Sequence, residues 1–222
     1  MNIGVFGDSY AEKNTSPTIW YHLLHNEHGH NVESFGAGGS SINFSARLID
    51  QMAKNYDLVI WCLTTPGRFS FQVDGRPHHV VTARDNYQGA SLEIAKKHQV
   101  SIDYLKYVFD WEEENFVGRS VVSYITTKHN NIMIIPCFPP PLGAEFNLYN
   151  LCEQEAQHYF PGKTIPEIYQ KYADLRPGHI SDENQKILAE LINNNLRPGI
   201  FQTSYDNFVK PSLPLEKVFT LQ

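Results

Sequence analysis

Cysteine is scarce in this chain: Cys62, Cys137 and Cys152 are the only three in 222 residues. Their number is odd and no two form a Cys-x-x-Cys pair, so neither a disulfide framework nor a cysteine-ligated metal is expected. Cys62 and Cys137 fall in apolar runs and read as buried strand residues. Positive charge is also short, with 18 Lys and Arg against 24 Asp and Glu, a formal net charge of −6, and no basic block. That argues against a phosphate-reading nucleic-acid surface and against an electrostatic membrane anchor. No apolar run approaches the ~20 residues of a membrane span. The first residues also lack the charged region and cleavage site of a secretory leader. The expectation is a cytoplasmic protein with neither nucleic acid nor membrane as a partner.

Apolar and aromatic mass is plentiful, at 41% hydrophobic and 13% aromatic residues. That suffices for a packed core, and the length fits one large domain. The domain is read over 1–197, with an insertion around 69–88. The proline-punctuated stretch 198–222 reads as an extended tail, which offers a route to wrapping the domain or to a homo-oligomer. No internal repeat or low-complexity segment is present.

Three apolar runs end in turn chemistry. Ile3, Val5 and Phe6 stop at Gly7-Asp8-Ser9, where a buried strand gives way to a tight turn. Asn31 to Phe35 reads as a second strand closing at Gly36-Ala37-Gly38-Gly39-Ser40-Ser41, with Ser40 or Ser41 as a helix cap. This glycine cluster lacks the full G-x-G-x-x-G spacing and follows the second strand, so it is a weak nucleotide signal. Asp57 to Leu63 is almost continuously apolar, as in a strand covered on both faces, and ends at Thr64-Thr65-Pro66-Gly67-Arg68. Open α/β folds place ligands at the carboxyl ends of their strands, so the three loops predict one shared crevice.

Between them, Ile19, Trp20, Leu23 and Leu24 mark a helix running from Ser16-Pro17 to about His28. His22, His25, His28 and His30 crowd this region without an acidic or cysteine partner, and read as surface histidines with no bound metal. Phe69 to Gln88 is polar, aromatic and irregular. Ala90 to Phe109 and Trp111 to Lys128 look helical, with Leu92, Ile94, Ile102, Leu105 and Val108 as buried positions. Asn131 to Cys137 is a further strand, stopped by Phe138-Pro139-Pro140-Pro141. Residues 146–172 show no clear period. Ser181 caps a last amphipathic helix carrying Ile187, Leu188, Leu191 and Ile192.

An acyl-transferring serine needs a base, a group to orient that base, and donors for the developing oxyanion. Ser9 comes early, His179 late before the last helix, and Asp174 five residues ahead of His179. Taken singly each has a plainer reading, as a turn former, a cap or a loop histidine. Their order, with Gly-Asp-Ser closing the first strand and a glycine cluster closing the second, resembles the SGNH/GDSL hydrolase family of serine esterases and acetylesterases. The resemblance runs from Ile3 to about Ile192. It implies an α/β fold, a flavodoxin-like three-layer α/β/α sandwich around a central parallel sheet. It further implies Ser9 as nucleophile, His179 as general base, Asp174 as its orienting acid, and the amides of Ser9 and Gly39 as oxyanion donors. No cofactor is required.

Two positions depart from the family pattern. Its third block ends in an asparagine that donates to the oxyanion, whereas this chain has Thr64-Thr65-Pro66. Thr65 or Arg68 is left to substitute, and Asp8 and Arg68 are read as substrate contacts. The family's D-x-x-H also becomes Arg176 at the aspartate's place, with Asp174 two residues further back. The leading expectation is hydrolysis of a small acyl ester, acetyl foremost, on a carbohydrate. Polar and aromatic residues 69–88 suit a polyol. The alternatives are a binding or scaffold module with weakened turnover, and an acyltransferase using the same residues.

Overall fold

The computed structural model describes residues 1–13, 16–74, 76–80, 91–139 and 142–222. Five strands build the central sheet: β1 (Asn2–Gly7), β2 (Asn31–Ser34), β3 (Leu58–Leu63), β6 (Ile132–Pro136) and β8 (Gly199–Ile200). Their order is β2-β1-β3-β6-β8 and every pairing is parallel. Such a sheet needs both faces covered, and alternate side chains leave opposite faces. Ile3, Val5, Leu58, Ile60, Cys62, Met133 and Ile135 accordingly pack in one core with α1 (Trp20–Asn26), α5 (Leu148–Tyr159), α6 (Ile165–Tyr169) and α7 (Asp182–Asn193). Phe6, Val59, Trp61, Leu63, Ile132 and Ile134 pack in the other with α2 (Ile42–Met52) and α4 (Trp111–Lys128). Each fully buried aliphatic side chain contributes about 1.5–3 kcal/mol, so the two cores dominate stability. The expected three-layer α/β/α sandwich with a central parallel sheet is what forms.

Strand order reverses at β1, with β2 on one side and β3 on the other, which opens a crevice at the carboxyl ends of β1 and β3. Gly7, the last residue of β1, lies opposite Cys62. Its φ of 145° and the Cys62 Cβ, 2.7 Å from where a side chain would begin, leave room only for glycine. Ser41 caps α2, its Oγ accepting from Phe44 N at 3.2 Å. The first helix begins later than the Ser16-Pro17 signal, at Trp20, whose N–H donates to Gln185 Oε1 of α7 at 2.9 Å.

Four stretches differ from the sequence reading. Residues 69–74 and 76–80 form a hairpin of β4 (Phe69–Val73) and β5 (Arg76–Val80), not an irregular excursion; 75 and 81–90 lie outside the described residues. Phe71 stacks on His78 across the hairpin, and β4 alternates apolar Phe69, Phe71 and Val73 with polar Ser70 and Gln72, whereas β5 shows no alternation. Helix α3 (Leu92–Tyr107) lies along this hairpin, and of the positions expected to be buried Leu92 is 71% and Val108 65% exposed. Its buried residue is instead His98, edge-on to Phe71. Residues 146–172 hold α5 and α6.

The stretch 198–222, expected as an extended tail, pairs with and packs on the rest of the chain. β8 adds the fifth strand, Phe201 N donates to Ile134 O at 2.8 Å, and Phe208 stacks on Phe146. A short helix α8 (Leu215–Val218) then leads into β9 (Phe219–Leu221), which pairs antiparallel with β7 (Tyr172–Asp174). Single anchors at Phe201, Phe208, Val218 and Phe219 hold each piece, and so irregular a spacing gives no periodic signal. Among the described residues no helix is long and apolar enough to cross a membrane.

Candidate active site

β1 ends in a four-residue turn, Asp8 to Ala11, closed by Ala11 N donating to Asp8 O at 2.9 Å. Asp8 Oδ1 also accepts from Tyr10 N at 3.2 Å, so an aspartate serves the turn twice. Ser9 stands at its apex, partly exposed, and neither its hydroxyl nor its amide makes a hydrogen bond among the described residues. The Asp8 side chain, by contrast, is fully buried, and its Oδ2 is 2.6 Å from Arg68 Nη1. Asp8, read as a substrate contact, is therefore turned inward and occupied by Arg68. Arg68 keeps 9% of its side chain exposed and lays its guanidinium 4.7 Å over the Phe138 ring. Its Nε is buried without a partner among the described residues.

The glycine loop after β2 is tied to the same strand end. Ala37 N and Ser40 Oγ both donate to Gly7 O, at 3.0 and 2.9 Å. Gly36 must be glycine because a Cβ would run into the backbone of Ala11. Gly39 has a φ of 72°, and its amide, like that of Ser9, donates to no acceptor among the described residues. The loops that carry these two amides are both joined to the end of β1 at Gly7. Thr65 instead lines a narrow cleft of about 30 Å³ with Ser41, Arg68, Glu114 and Val117, a lining that includes neither Ser9 nor His179. Thr64 Oγ1 is buried without a hydrogen bond among the described residues.

His179 arrives from the far end of the chain. It ends a short 3₁₀ turn at Pro177–His179 in which Gly178 and His179 have φ of 63° and 67°. Two successive left-handed residues are costly for a histidine, roughly 1–3 kcal/mol, and persist only where surrounding contacts dictate them. The imidazole is 35% exposed and meets the Tyr10 ring edge-on at 5.3 Å; Tyr10 also packs on Phe138 at 6.0 Å. His179 thus stands against the residue that follows Ser9. Its Nδ1 lies 3.6 Å from Asp174 Oδ2, beyond hydrogen-bond length but well within electrostatic reach. Asp182 faces elsewhere, accepting from Thr18 Oγ1 at 2.8 Å.

Asp174 is 6% exposed and heavily ligated. Oδ1 accepts from Arg176 N and Nε at 2.9 and 3.0 Å, and Oδ2 from Tyr169 OH at 2.7 Å and Arg176 Nη2 at 3.1 Å. Burial alone would raise its carboxyl. The His179 ring, the Arg176 guanidinium and the Tyr169 hydroxyl outweigh that and hold it well below the usual carboxylate range. Arg176 in turn gives Nη1 to Glu155 Oε2 at 2.7 Å and Nη2 to Cys152 Sγ at 3.4 Å, with its guanidinium 4.8 Å over Phe219. Burial pushes the Cys152 thiol up to about 12 and raises Tyr10 well above the phenol range, so both enter as neutral walls.

Sequence reading missed Glu155, Tyr169 and the real place of Arg176, since only the fold brings α5, α6 and β7 together. Among the described residues no group of three His, Cys, Asp or Glu side chains is placed to hold a metal. His25 Nδ1 is 2.7 Å from His30 O, and His30 Nε2 is 2.9 Å from Asn193 Oδ1.

No protein-family model matches this chain, and no curated protein matches it. Solved structures similar to it include a protein described as a lipolytic protein of the G-D-S-L family from Desulfitobacterium hafniense, 11% identical, with 87% of this chain and 98% of that one covered at a TM-score of 0.45. They also include an acetyl xylan esterase, 14% identical, with 86% and 96% covered at a TM-score of 0.38.

Proposed function

We propose that this chain is a serine ester hydrolase that removes a small acyl group, acetyl foremost, from a carbohydrate. The observation carrying this reading is His179, held in a left-handed turn between Tyr10, the neighbour of Ser9, and the carboxylate of Asp174. With Nδ1 turned to Asp174, the proton-accepting nitrogen is Nε2. Ser9 Oγ attacks the ester carbonyl while His179 Nε2 takes the hydroxyl proton, and the amides of Ser9 and Gly39 receive the oxyanion. Collapse of that intermediate expels the alcohol, which His179 protonates. Water then adds to the acyl-serine, giving its proton to His179, and releases the carboxylic acid and free Ser9. For the sugar, the support is the hairpin: Ser70 Oγ accepts from Ser41 N at 3.0 Å and sits 2.8 Å from His79 Nδ1, so aromatic and histidine residues border the Gly39 loop.

A binding module with little turnover is the second reading. What favours it is the sequence Thr64-Thr65-Pro66, which supplies no side-chain amide, together with Thr65 lining a separate cleft. Loss of one oxyanion donor costs about 10²–10³ in turnover. A fluorophosphonate probe and a chromogenic acetyl ester separate the two. On the hydrolase reading the probe labels Ser9, and Ser9→Ala and His179→Ala each abolish ester turnover to a similar extent. An unlabelled Ser9 with turnover unchanged in Ser9→Ala refutes it.

A further inference from the structure

We propose that Arg176, backed by Glu155, is a positioning residue that aims the Asp174 carboxylate at His179 and fixes the loop bearing that histidine. The proposal rests on the hydrolase reading above. Asp174 accepts from Arg176 through N, Nε and Nη2 and from Tyr169 OH, and with these donors in place its Oδ2 stands 3.6 Å from His179 Nδ1, so the ring meets the carboxylate by charge. The carboxylate plane therefore follows the guanidinium plane, a geometry that a lysine cannot impose.

Arg176 is itself aimed from three sides. Glu155 takes Nη1, the Phe219 ring lies beneath the guanidinium, and Leu175 N donates to Val218 O at 2.9 Å beside it. Glu155 does more than balance charge. Its Oε2 also accepts from Ser181 N at 2.8 Å, and its Oε1 from Ser181 Oγ at 2.9 Å and from Asn184 Nδ2 at hydrogen-bond distance. One buried carboxylate thus grips the chain at Arg176 and again at Ser181. His179 lies between those two grips, which is why its left-handed backbone persists.

The ionisable groups around this unit are few. Asp174 and Tyr10 face His179; Tyr169, Arg176 and Cys152 surround Asp174; Glu155, Asp174, Cys152 and Tyr159 surround Arg176. Tyr10, Cys152, Tyr159 and Tyr169 are all raised, chiefly by burial, and stay neutral at ordinary pH. The charge that His179 meets is therefore Asp174 offset by Arg176.

The test is a ¹⁵N NMR spectrum of the full chain labelled with ¹⁵N-histidine, the His179 ring signals being assigned by their loss in His179→Gln. The variant is Glu155→Gln with Arg176→Gln, which takes one charge of each sign from the buried site. The expected result is a wild-type ring held in the tautomer with the proton on Nδ1, facing Asp174, and loss of that preference both in the double variant and in Asp174→Asn. A preference unchanged in the double variant overturns the proposal. Should the double variant not fold, Arg176→Lys decides: charge is kept and the fork is lost, so the preference weakens while kcat on an acetyl ester falls on the order of tenfold at unchanged KM. Full kcat in Arg176→Lys would refute the positioning role. The spectrum needs no turnover, so an inactive wild type counts against hydrolysis and leaves this result readable.

Discussion

Replacing Arg68 by methionine gives the sharpest view of what holds the Ser9 turn. Asp8 is fully buried and Arg68 Nη1, at 2.6 Å, is its ion-pair partner. Methionine keeps much of the packing over Phe138 but supplies no charge, leaving a buried carboxylate with one backbone donor, Tyr10 N. Breaking a buried pair from one side costs about 3–5 kcal/mol; the low end applies here because Arg68 retains some exposure and its own desolvation is incomplete. For a chain of this size ~3 kcal/mol lowers the melting temperature by about 6–12 °C. Turnover should fall further than stability implies. Asp8 swinging toward water breaks its bond to Tyr10 N, and a shift of about 1 Å at Ser9 is worth about a hundredfold in rate. Adding Asp8→Asn removes the orphaned charge, so the double variant Asp8→Asn with Arg68→Met should recover more than half the lost stability while remaining slow. Denaturant unfolding and chromogenic-ester kinetics measure both. If Arg68→Met unfolds within about 0.5 kcal/mol of wild type, a range typical of surface substitutions, the reasoning fails.

The other predictions concern the strand end and the buried acid. Gly7→Ala should destabilise by more than about 2 kcal/mol, because the φ of 145° and the neighbouring Cys62 both reject a side chain; a melting temperature close to wild type would disprove the close approach. For Asp174 the folded-state carboxyl titrates below its unfolded value, so its stabilisation is present above the unfolded value, near pH 4, and is lost as pH falls through the folded one. Asp174→Asn should therefore be less stable than wild type at pH 7, with the gap in denaturant midpoint closing as pH drops below about 4. A gap independent of pH would mean that Asp174 stabilises through packing and not through its charge.

The central sheet was legible because its strands carry their own signal. Leu58 to Leu63 is buried at every position, and only a strand covered on both faces calls for six such residues in a row. The turn residues at Gly7 and Gly36 were legible for a related reason: glycine marks places where backbone meets backbone. The hairpin was not legible from β5, whose Arg76-Pro77-His78-His79-Val80 neither alternates nor favours a strand, although β4 does alternate, Phe69, Phe71 and Val73 against Ser70 and Gln72. Nor was the exposure of Leu92 and Val108, since α3 packs on that hairpin and not on the sheet. In each miss, the partner that decides burial is an element that cannot be read from the segment itself.

The same logic explains why the site divides into a readable half and a hidden half. Ser9, Gly39 and His179 sit on loops whose local sequence announces a turn or a cap. The groups that direct them do not: Asp8 reaches 60 residues along the chain to Arg68, and Arg176 reaches 21 residues back to Glu155. Two buried ion pairs in one site are weak candidates for stability, because well-packed apolar residues would serve as well or better. What they supply is direction. A carboxylate beside an apolar wall can turn; one clasped by a guanidinium cannot. Asp8 held by Arg68 sets the turn that presents Ser9, and Asp174 held by Arg176 sets the face that His179 meets. Arg176, three residues before His179, thus uses three of its donors to hold Asp174, the aspartate that β7 brings beside that histidine.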